Sequence, residues 1–89
     1  MSTEATHIIF TGRVQGVGFR FTAYNMAAKY GLTGYVRNLP DSSVEMLAQG
    51  RPDDINNAIE ELKSRFIVSK TDISHTEVNT EYNDFKIAF

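Results

Sequence analysis

Apolar and polar side chains alternate in the first part of the chain, which is typical of a β-strand with one buried face. Between residues 7 and 14, Ile8, Phe10 and Val14 share one face and His7 lies on the other. A histidine on the polar face of a strand is expected to be solvated, so we assign His7 no chemistry. Residues 1–5 precede this pattern, and we expect them to form a loose tail.

After this strand the apolar residues take the spacing of a helix. The pattern predicts a helix that runs on from Phe21, packs one face against the sheet and stops at Gly31, where glycine suits a left-handed end. The predicted buried face consists of Phe21, Ala23, Tyr24, Ala27 and Ala28.

An extended pattern returns at residues 33–39, and we expect this second strand to end near Asn38. The sequence Pro-Asp-Ser-Ser at residues 40–43 favours a turn, after which a third strand at residues 44–50 completes a hairpin. The alternate apolar residues of this third strand are Val44, Met46 and Ala48.

The second helix has the clearest pattern in the chain. Pro52 opens it, and its acidic first turn and basic last turn both complement the helix dipole. Its apolar residues recur on one helical face, which indicates core: Ile55, Ala58, Ile59, Leu62 and Phe66.

A connection through Thr71 is predicted next, followed by two short extended segments at residues 73–78 and 85–89. The apolar face of the last segment consists of Phe85, Ile87 and Phe89. The order is therefore β-α-β-β-α-β with an additional strand near the end. It predicts the α+β class and a ferredoxin-like βαββαβ sandwich, an antiparallel sheet with two helices on one face.

Composition limits the partners of this fold. The 89 residues form one domain, and the absence of cysteine excludes disulfides, cysteine-based metal sites and a thiol nucleophile. The net charge of −2 provides no basic field for nucleic acid or anionic membranes. The chain has neither a signal-peptide pattern nor an apolar run of membrane-spanning length. We expect a cytoplasmic monomer that binds small molecules, without nucleic acid or membrane partners.

The loop between the first strand and the first helix is the candidate for chemistry, and it reads Gln15-Gly16-Val17-Gly18-Phe19-Arg20. Two glycines allow backbone N–H groups to turn inward, and the following helix presents unpaired N–H groups to the same place. Arg20 in the first helical turn opposes the helix dipole unless an anion compensates it, and its planar donors suit phosphate. The loop therefore predicts a phosphate site, although an ordinary glycine turn with a solvated arginine is the alternative. It is not a P-loop, since no Gly-Lys-Ser/Thr follows.

Two motifs give the chain a resemblance to the acylphosphatase family, whose members cleave the carboxyl-phosphate bond of acyl phosphates. Residues 12–20, Gly-Arg-Val-Gln-Gly-Val-Gly-Phe-Arg, are similar to its first signature, and residues 34–41, Gly-Tyr-Val-Arg-Asn-Leu-Pro-Asp, to its second. The resemblance implies a ferredoxin-like fold, a phosphate-binding loop at residues 15–20, Arg20 as the catalytic arginine and Asn38 as the catalytic asparagine.

Two positions depart from the family pattern. Ser42 stands where the family usually has glycine, and it costs about 1 kcal/mol if the backbone there is left-handed. Tyr35 stands where many relatives have tryptophan, which is a tolerable aromatic exchange.

The reaction that the resemblance implies requires few catalytic groups. The carboxylate that leaves an acyl phosphate needs no proton from a general acid. Arg20 and the loop N–H groups would hold the phosphoryl oxygens, and Asn38 would hold a water in line for attack. No cluster of carboxylates or histidines suggests a metal, and no side chain is placed as a nucleophile, so we expect no metal, cofactor or phosphoenzyme.

Three alternatives stay open at the level of sequence. Asn38 alone is typical of a residue that ends a strand and bonds into a turn. The same fold also serves as an RNA-binding module, although such a module needs paired aromatics and a basic sheet face. A domain that binds phosphate or carbamoyl phosphate without turnover would also keep the loop.

Overall fold

A computed structural model describes residues 3–89 of the chain. In chain order the elements are β1 Glu4–Arg13, α1 Phe19–Tyr30, β2 Thr33–Asn38, β3 Val44–Gly50, α2 Pro52–Arg65, β4 Ile67–Thr76 and β5 Phe85–Ala88. Within this range, neither helix combines the length and the apolar character needed to cross a membrane.

The five strands form one sheet in the order β4-β1-β3-β2-β5. The pairs β4–β1, β1–β3 and β3–β2 are antiparallel. The pair β2–β5 is parallel, with Gly34 opposite Phe85. The predicted α+β ferredoxin-like fold is confirmed, since buried residues of both helices join a single core on one face of the sheet. The sheet is mixed rather than wholly antiparallel because the additional strand pairs at the outer edge of β2.

The start of the chain differs from the predicted loose tail. Residues 1 and 2 lie outside the described part of the chain, but residues 4 and 5 already belong to β1. Ala5 is buried and pairs with Gln49 of β3 and with Thr76 of β4. The prediction is wrong for these two residues, because β1 is an inner strand and extends as far as its neighbours do.

The predicted connection after the second helix is also wrong, because β4 begins directly at Ile67. It pairs with β1 from Ile67 opposite Arg13 to Thr76 opposite Ala5, with a register shift between Thr11 and Gly12. The first of the two predicted extended segments, residues 73–78, therefore overlaps the end of one long edge strand, which stops at Thr76. Most residues of β4 are exposed, so its sequence lacks the alternation that marks a half-buried strand.

The core lies between the sheet and the two helices, and Phe19 is at its centre. The ring of Phe19 lies 4.9 Å from that of Phe10 and 4.9 Å from that of Phe66, measured between centroids. This packing fixes the start of α1 against β1. The predicted core residues of α2 are confirmed: Ile55, Ala58, Ile59 and Leu62 are buried, and Phe66 packs against them from just beyond the helix.

The buried face of α1 differs from the predicted one. Phe21 is 64% exposed and Tyr24 is 44% exposed. Ala28 is exposed as well, whereas Phe19, Ala23, Met26 and Ala27 are buried. The predicted burial of Ala23 and Ala27 is confirmed. The helix begins two residues earlier than predicted, and Phe19 and Met26 complete the buried face with these two alanines. The left-handed stop is confirmed, because Gly31 has φ 66° and its N–H bonds back to the last turn.

Candidate active site

The loop between β1 and α1 is shaped by two left-handed glycines. Gly16 has φ 74° and Gly18 has φ 82°, which side chains with a Cβ rarely adopt. Gly18 is also the residue that caps α1, and no side chain caps the helix or places an acid in its first turn. In the described range, the positive end of α1 therefore has neither a side-chain cap nor a first-turn carboxylate to balance it.

A cleft of about 250 Å³ opens beside this loop. It is lined by residues of the loop, of the start of α1, of the end of β2 and of the β5 region: Val14, Gly16, Gly18, Phe19, Arg20, Phe21, Asn38, Ile87 and Phe89. Arg20 and Asn38, which lie far apart in the sequence, therefore face one cleft.

Arg20 is held in the cleft by the residues at the end of β5. Its Nη1 donates a hydrogen bond to the carbonyl oxygen of Ala88 at 3.2 Å, and its Cζ lies 5.1 Å from the centre of the Phe89 ring. Among residues 3–89 this is the one hydrogen bond of its side chain, so most of its five N–H donors remain for an anion.

Asn38 is the last residue of β2, and its amide oxygen is unusual. Oδ1 is buried, yet it accepts no hydrogen bond from any residue in the described range. A buried acceptor without a partner is destabilising by about 1–3 kcal/mol, so such atoms are rare and each one requires an explanation. Since Asn38 lines the cleft, this unsatisfied acceptor belongs to the candidate site.

Gln15 fixes the loop to the turn that follows Asn38. Its Nε2 donates hydrogen bonds to the carbonyl oxygens of Leu39 and Ser43, both at 2.8 Å. The side chain is therefore committed to the turn and does not line the cleft. We call this pair of hydrogen bonds the Gln15 brace. Sequence patterns gave no indication of it, because the three residues are brought together only by the fold.

Val17 also lies outside the cleft. It is 51% exposed and lines a separate groove with Arg13, Arg65, Phe66 and Ile67. Of the residues predicted to bind phosphate, the structure thus brings Gly16, Gly18, Phe19 and Arg20 to the cleft together with Asn38. The side chains of Gln15 and Val17 are directed elsewhere, so these two residues could contact an anion only through their backbone N–H groups.

The turn between β2 and β3 carries the departure noted at Ser42. Its φ is 78°, so this residue is left-handed and the cost of about 1 kcal/mol applies. Asp41 accepts hydrogen bonds from the N–H of Ser43 at 3.0 Å and from its hydroxyl group, and these bonds lower the pKa of Asp41. Asp41 therefore stabilises the turn, as predicted for a turn former.

Behind the cleft, on the sheet face away from the helices, a second polar group surrounds Glu45. The His7 Nε2 lies 2.7 Å from one carboxylate oxygen, and Arg37 Nε donates to the other. Burial raises the pKa of Glu45, but the hydrogen bonds from His7 and Arg37 outweigh burial, so the pKa lies below its ordinary value. The expectation of a solvated His7 is wrong, because Glu45 is brought within hydrogen-bond distance by the pairing of β1 with β3.

Three apolar residues of the cleft were assigned elsewhere from the sequence. Phe21 was placed on the buried face of α1, and Ile87 and Phe89 on the core face of the last strand. Phe89 is instead 99% exposed, because β5 ends at Ala88. Ile87 is partly buried and packs against the core as predicted, and it also lines the cleft. No periodic signal distinguishes a cleft residue from a core residue at these positions.

A larger cleft of about 400 Å³ lies on the open face of the sheet, near Tyr35 and Tyr82, whose ring centroids are 5.9 Å apart. Its lining includes Arg37 and Lys86 but neither the glycine loop nor a helix end. Within residues 3–89, no three acidic or histidine side chains are grouped so as to hold a metal ion. The smaller cleft is therefore the candidate active site.

Comparisons with known proteins identify the family of the chain. A model of the acylphosphatase family matches residues 6–87. The chain belongs to the acylphosphatase family. An acylphosphatase of Picrophilus torridus is 42% identical over 81 residues, which are 91% of this chain and 98% of that protein. The chain is an enzyme of the acylphosphatase type, a hydrolase.

Solved structures show the same fold. The crystal structure of acylphosphatase from Bacillus subtilis has a TM-score of 0.90 and 32% sequence identity, with 97% of this chain and 99% of that chain covered. Full-length HypF, in its phosphate- and nucleotide-bound form, matches with a TM-score of 0.86 and 35% identity. This match covers 99% of the present chain but only 12% of HypF, so the same fold also occurs within a much larger protein.

Proposed function

We propose that the enzyme hydrolyses the carboxyl-phosphate bond of acyl phosphates, giving a carboxylate and inorganic phosphate, at the cleft that contains Arg20 and Asn38. The observation that carries the proposal is the pairing in one cleft of an arginine and a buried amide oxygen that, within residues 3–89, have no anionic partner and no hydrogen-bond donor respectively. The first fits a bound phosphoryl group, and the second fits a water molecule.

The phosphoryl group is held by Arg20 and by backbone N–H groups of the loop Gln15-Gly16-Val17-Gly18-Phe19-Arg20. The uncapped positive end of α1 and the two left-handed glycines support this assignment. These donors stabilise the negative charge that develops on the phosphoryl oxygens in the transition state.

Asn38 positions the attacking water by accepting a hydrogen bond from it at Oδ1. The water oxygen forms a new bond to phosphorus while the bond from phosphorus to the carboxyl oxygen breaks in line. The leaving carboxylate takes the electron pair and needs no proton. The proton of the water passes to a phosphoryl oxygen, since a carboxamide is too weak a base to keep it.

The direct test is the release of phosphate from a synthetic acyl phosphate such as benzoyl phosphate, measured with and without a chelator. We expect turnover that the chelator leaves unchanged, and slow turnover of phosphate monoesters, because an alkoxide is a far poorer leaving group. Loss of activity in chelator, or monoester hydrolysis at a comparable rate, contradicts the mechanism.

The alternative is a domain that binds phosphate or carbamoyl phosphate without turnover, and the family match supports the enzyme over it. The same assay separates the two functions. Phosphate binding by calorimetry without any release of phosphate from acyl phosphates supports the binding domain.

A further inference from the structure

Two phenylalanines at the cleft are exposed, although large apolar side chains are ordinarily buried. Phe21 follows Arg20 in the first turn of α1, and Phe89 follows the last residue of β5. Both line the cleft that contains Arg20 and Asn38, and both leave most of their surface in water. Exposed apolar side chains that gather at one site indicate a binding surface.

The fold itself makes little use of these two rings. Phe19, two residues before Phe21, packs between Phe10 and Phe66 in the core. Among residues 3–89, Phe21 has no ring contact, and the contact of Phe89 is with the Arg20 guanidinium. Packing therefore accounts for Phe19 but not for the other two.

We propose that Phe21 and Phe89 form an apolar rim that binds the acyl group of the substrate, so that the enzyme prefers acyl phosphates with an aromatic or bulky apolar acyl group. This inference rests on the proposed function, because it takes Arg20 as the phosphate ligand. The Phe89 ring centre lies 5.1 Å from Cζ of Arg20, so this ring is the apolar group next to the proposed phosphate ligand. Phe21 is the next residue along the chain from Arg20.

Charge in the cleft supports the same substrate class. Arg20 is the one charged residue among those that line the cleft in the described part of the chain. Once it binds the phosphate, no second cation is available for a carboxylate on the acyl group. An acyl chain that carries a second acid is therefore bound less well than an apolar one of similar size.

The rim is expected to act mainly on substrate binding. Burial of a phenyl group against the two rings corresponds to a preference of about tenfold over a methyl group. Because these contacts are the same in the ground state and the transition state, the preference lies in KM more than in kcat.

The first experiment compares kcat/KM for benzoyl, acetyl and succinyl phosphate in the wild type, Phe21→Ala, Phe89→Ala and the double variant. We expect the wild type to prefer benzoyl phosphate by about tenfold, and the double variant to bring the ratio of benzoyl to acetyl phosphate near one while acetyl phosphate turnover falls by a smaller factor. Phe21→Leu, which keeps an apolar side chain, should retain part of the preference. Tyr24→Ala is the matched control, because Tyr24 is a half-exposed aromatic on the same helix that does not line the cleft.

Two outcomes overturn the proposal. One is a ratio of benzoyl to acetyl phosphate that is unchanged in the double variant. The other is an equal loss on both substrates, which assigns the rings to holding Arg20 or the fold rather than the acyl group.

The second experiment does not depend on turnover. Benzoylphosphonate and acetylphosphonate resist hydrolysis and carry the same two acyl groups, and their dissociation constants are measured by calorimetry. We expect the benzoyl compound to bind about tenfold more tightly to the wild type and equally to the double variant. Equal binding of the two compounds to the wild type overturns the rim. If no acyl phosphate is hydrolysed but this difference is found, the proposed function fails and the rim stands.

Discussion

Arg20 lines the same cleft as Asn38, and Arg37 precedes Asn38 on β2, but the surroundings of the two arginines differ. Arg37 donates to the carboxylate of Glu45, which also bonds to His7, so its charge is neutralised within the fold. Arg20 donates to the neutral carbonyl of Ala88 and contacts a phenyl ring, and within residues 3–89 no carboxylate forms an ion pair with it. An arginine that the fold leaves without an anion is prepared for one that arrives from solution.

The position of Arg20 strengthens this contrast. It occupies the first turn of α1, which contains no acidic residue. A cation there opposes the helix dipole by about 0.3–1 kcal/mol, a cost that a bound anion removes. Arg37 carries no comparable cost, because a paired strand has little net dipole.

The sharpest test of the comparison is to neutralise each arginine in turn. We expect Arg20→Gln to lower kcat/KM for an acyl phosphate by about 10³- to 10⁵-fold, because the substituted amide cannot balance the phosphoryl charge. Arg37→Gln should cost less than about tenfold, since it acts only through the support of β2. Similar losses in the two variants would show that the guanidinium in the cleft has no special role.

The role proposed for Asn38 predicts that its loss affects turnover but not phosphate affinity. Asn38→Ala should lower kcat by about 10²- to 10⁴-fold while the dissociation constant for inorganic phosphate stays nearly constant, because Oδ1 is assigned to the water. Stopped-flow or steady-state rates together with phosphate calorimetry measure the two quantities. The exposed Asn56 on α2 supplies the control Asn56→Ala, which should change neither. If phosphate binding weakens in Asn38→Ala as much as turnover slows, the amide touches the phosphate and its role is misassigned.

The Gln15 brace predicts a smaller effect on rate together with a loss of stability. Gln15→Ala leaves the carbonyls of Leu39 and Ser43 without this donor, and we expect about 1–2 kcal/mol less stability and a kcat about tenfold lower as the position of Asn38 relaxes. Gln49 is a matched control, because it donates to Thr33 and Asn79 far from the cleft. Gln49→Ala should lose comparable stability by denaturant unfolding without the loss in kcat. A normal kcat in Gln15→Ala would mean that the brace supports the fold alone.

The smallest expected effect concerns Glu45, the carboxylate that pairs with Arg37, and it is a pH dependence of stability. Burial raises its pKa, but the bonds from His7 and Arg37 outweigh it and leave the folded-state pKa low. Its contribution is therefore complete above the unfolded pKa of about 4.3 and is lost as the pH falls through the folded pKa. Glu45→Gln should thus show a shallower loss of unfolding free energy between about pH 5 and pH 3 than the wild type, whereas Glu77→Gln, at an exposed loop position, should follow the wild type. Parallel curves for Glu45→Gln and the wild type contradict this linkage.

The parts of the fold that could be predicted are those whose sequence pattern is set by local physics. In α2 the apolar stripe from Ile55 to Leu62 and the charges at both ends agree, and the helix was placed correctly. Only the end of β4, from Ile73, was predicted, because an edge strand pairs on one side only and exposes most of its side chains. The buried face of α1 was partly misassigned because Phe19, a buried residue of this helix, was interpreted as part of the loop at residues 15–20.

The same division holds for the site. Gly16, Gly18, Arg20 and Asn38 were identified from motifs, and the structure brings them to one cleft. The brace of Gln15 and the exposure of Phe89 depend on contacts between distant segments. Spacing along the chain carries no information about such contacts.

The most direct test of the account is whether inorganic phosphate stabilises the folded protein through Arg20. Thermal unfolding is followed in phosphate and in chloride at equal ionic strength, for the wild type, Arg20→Gln and Arg37→Gln. At ten times its dissociation constant, phosphate should add about 1.4 kcal/mol, or roughly 5–10 °C in Tm, to the wild type. Arg37→Gln should retain this gain and Arg20→Gln should lose most of it, while chloride reproduces it in none of them. A gain in Arg20→Gln as large as in the wild type would place the anion elsewhere and contradict the assignment of this cleft.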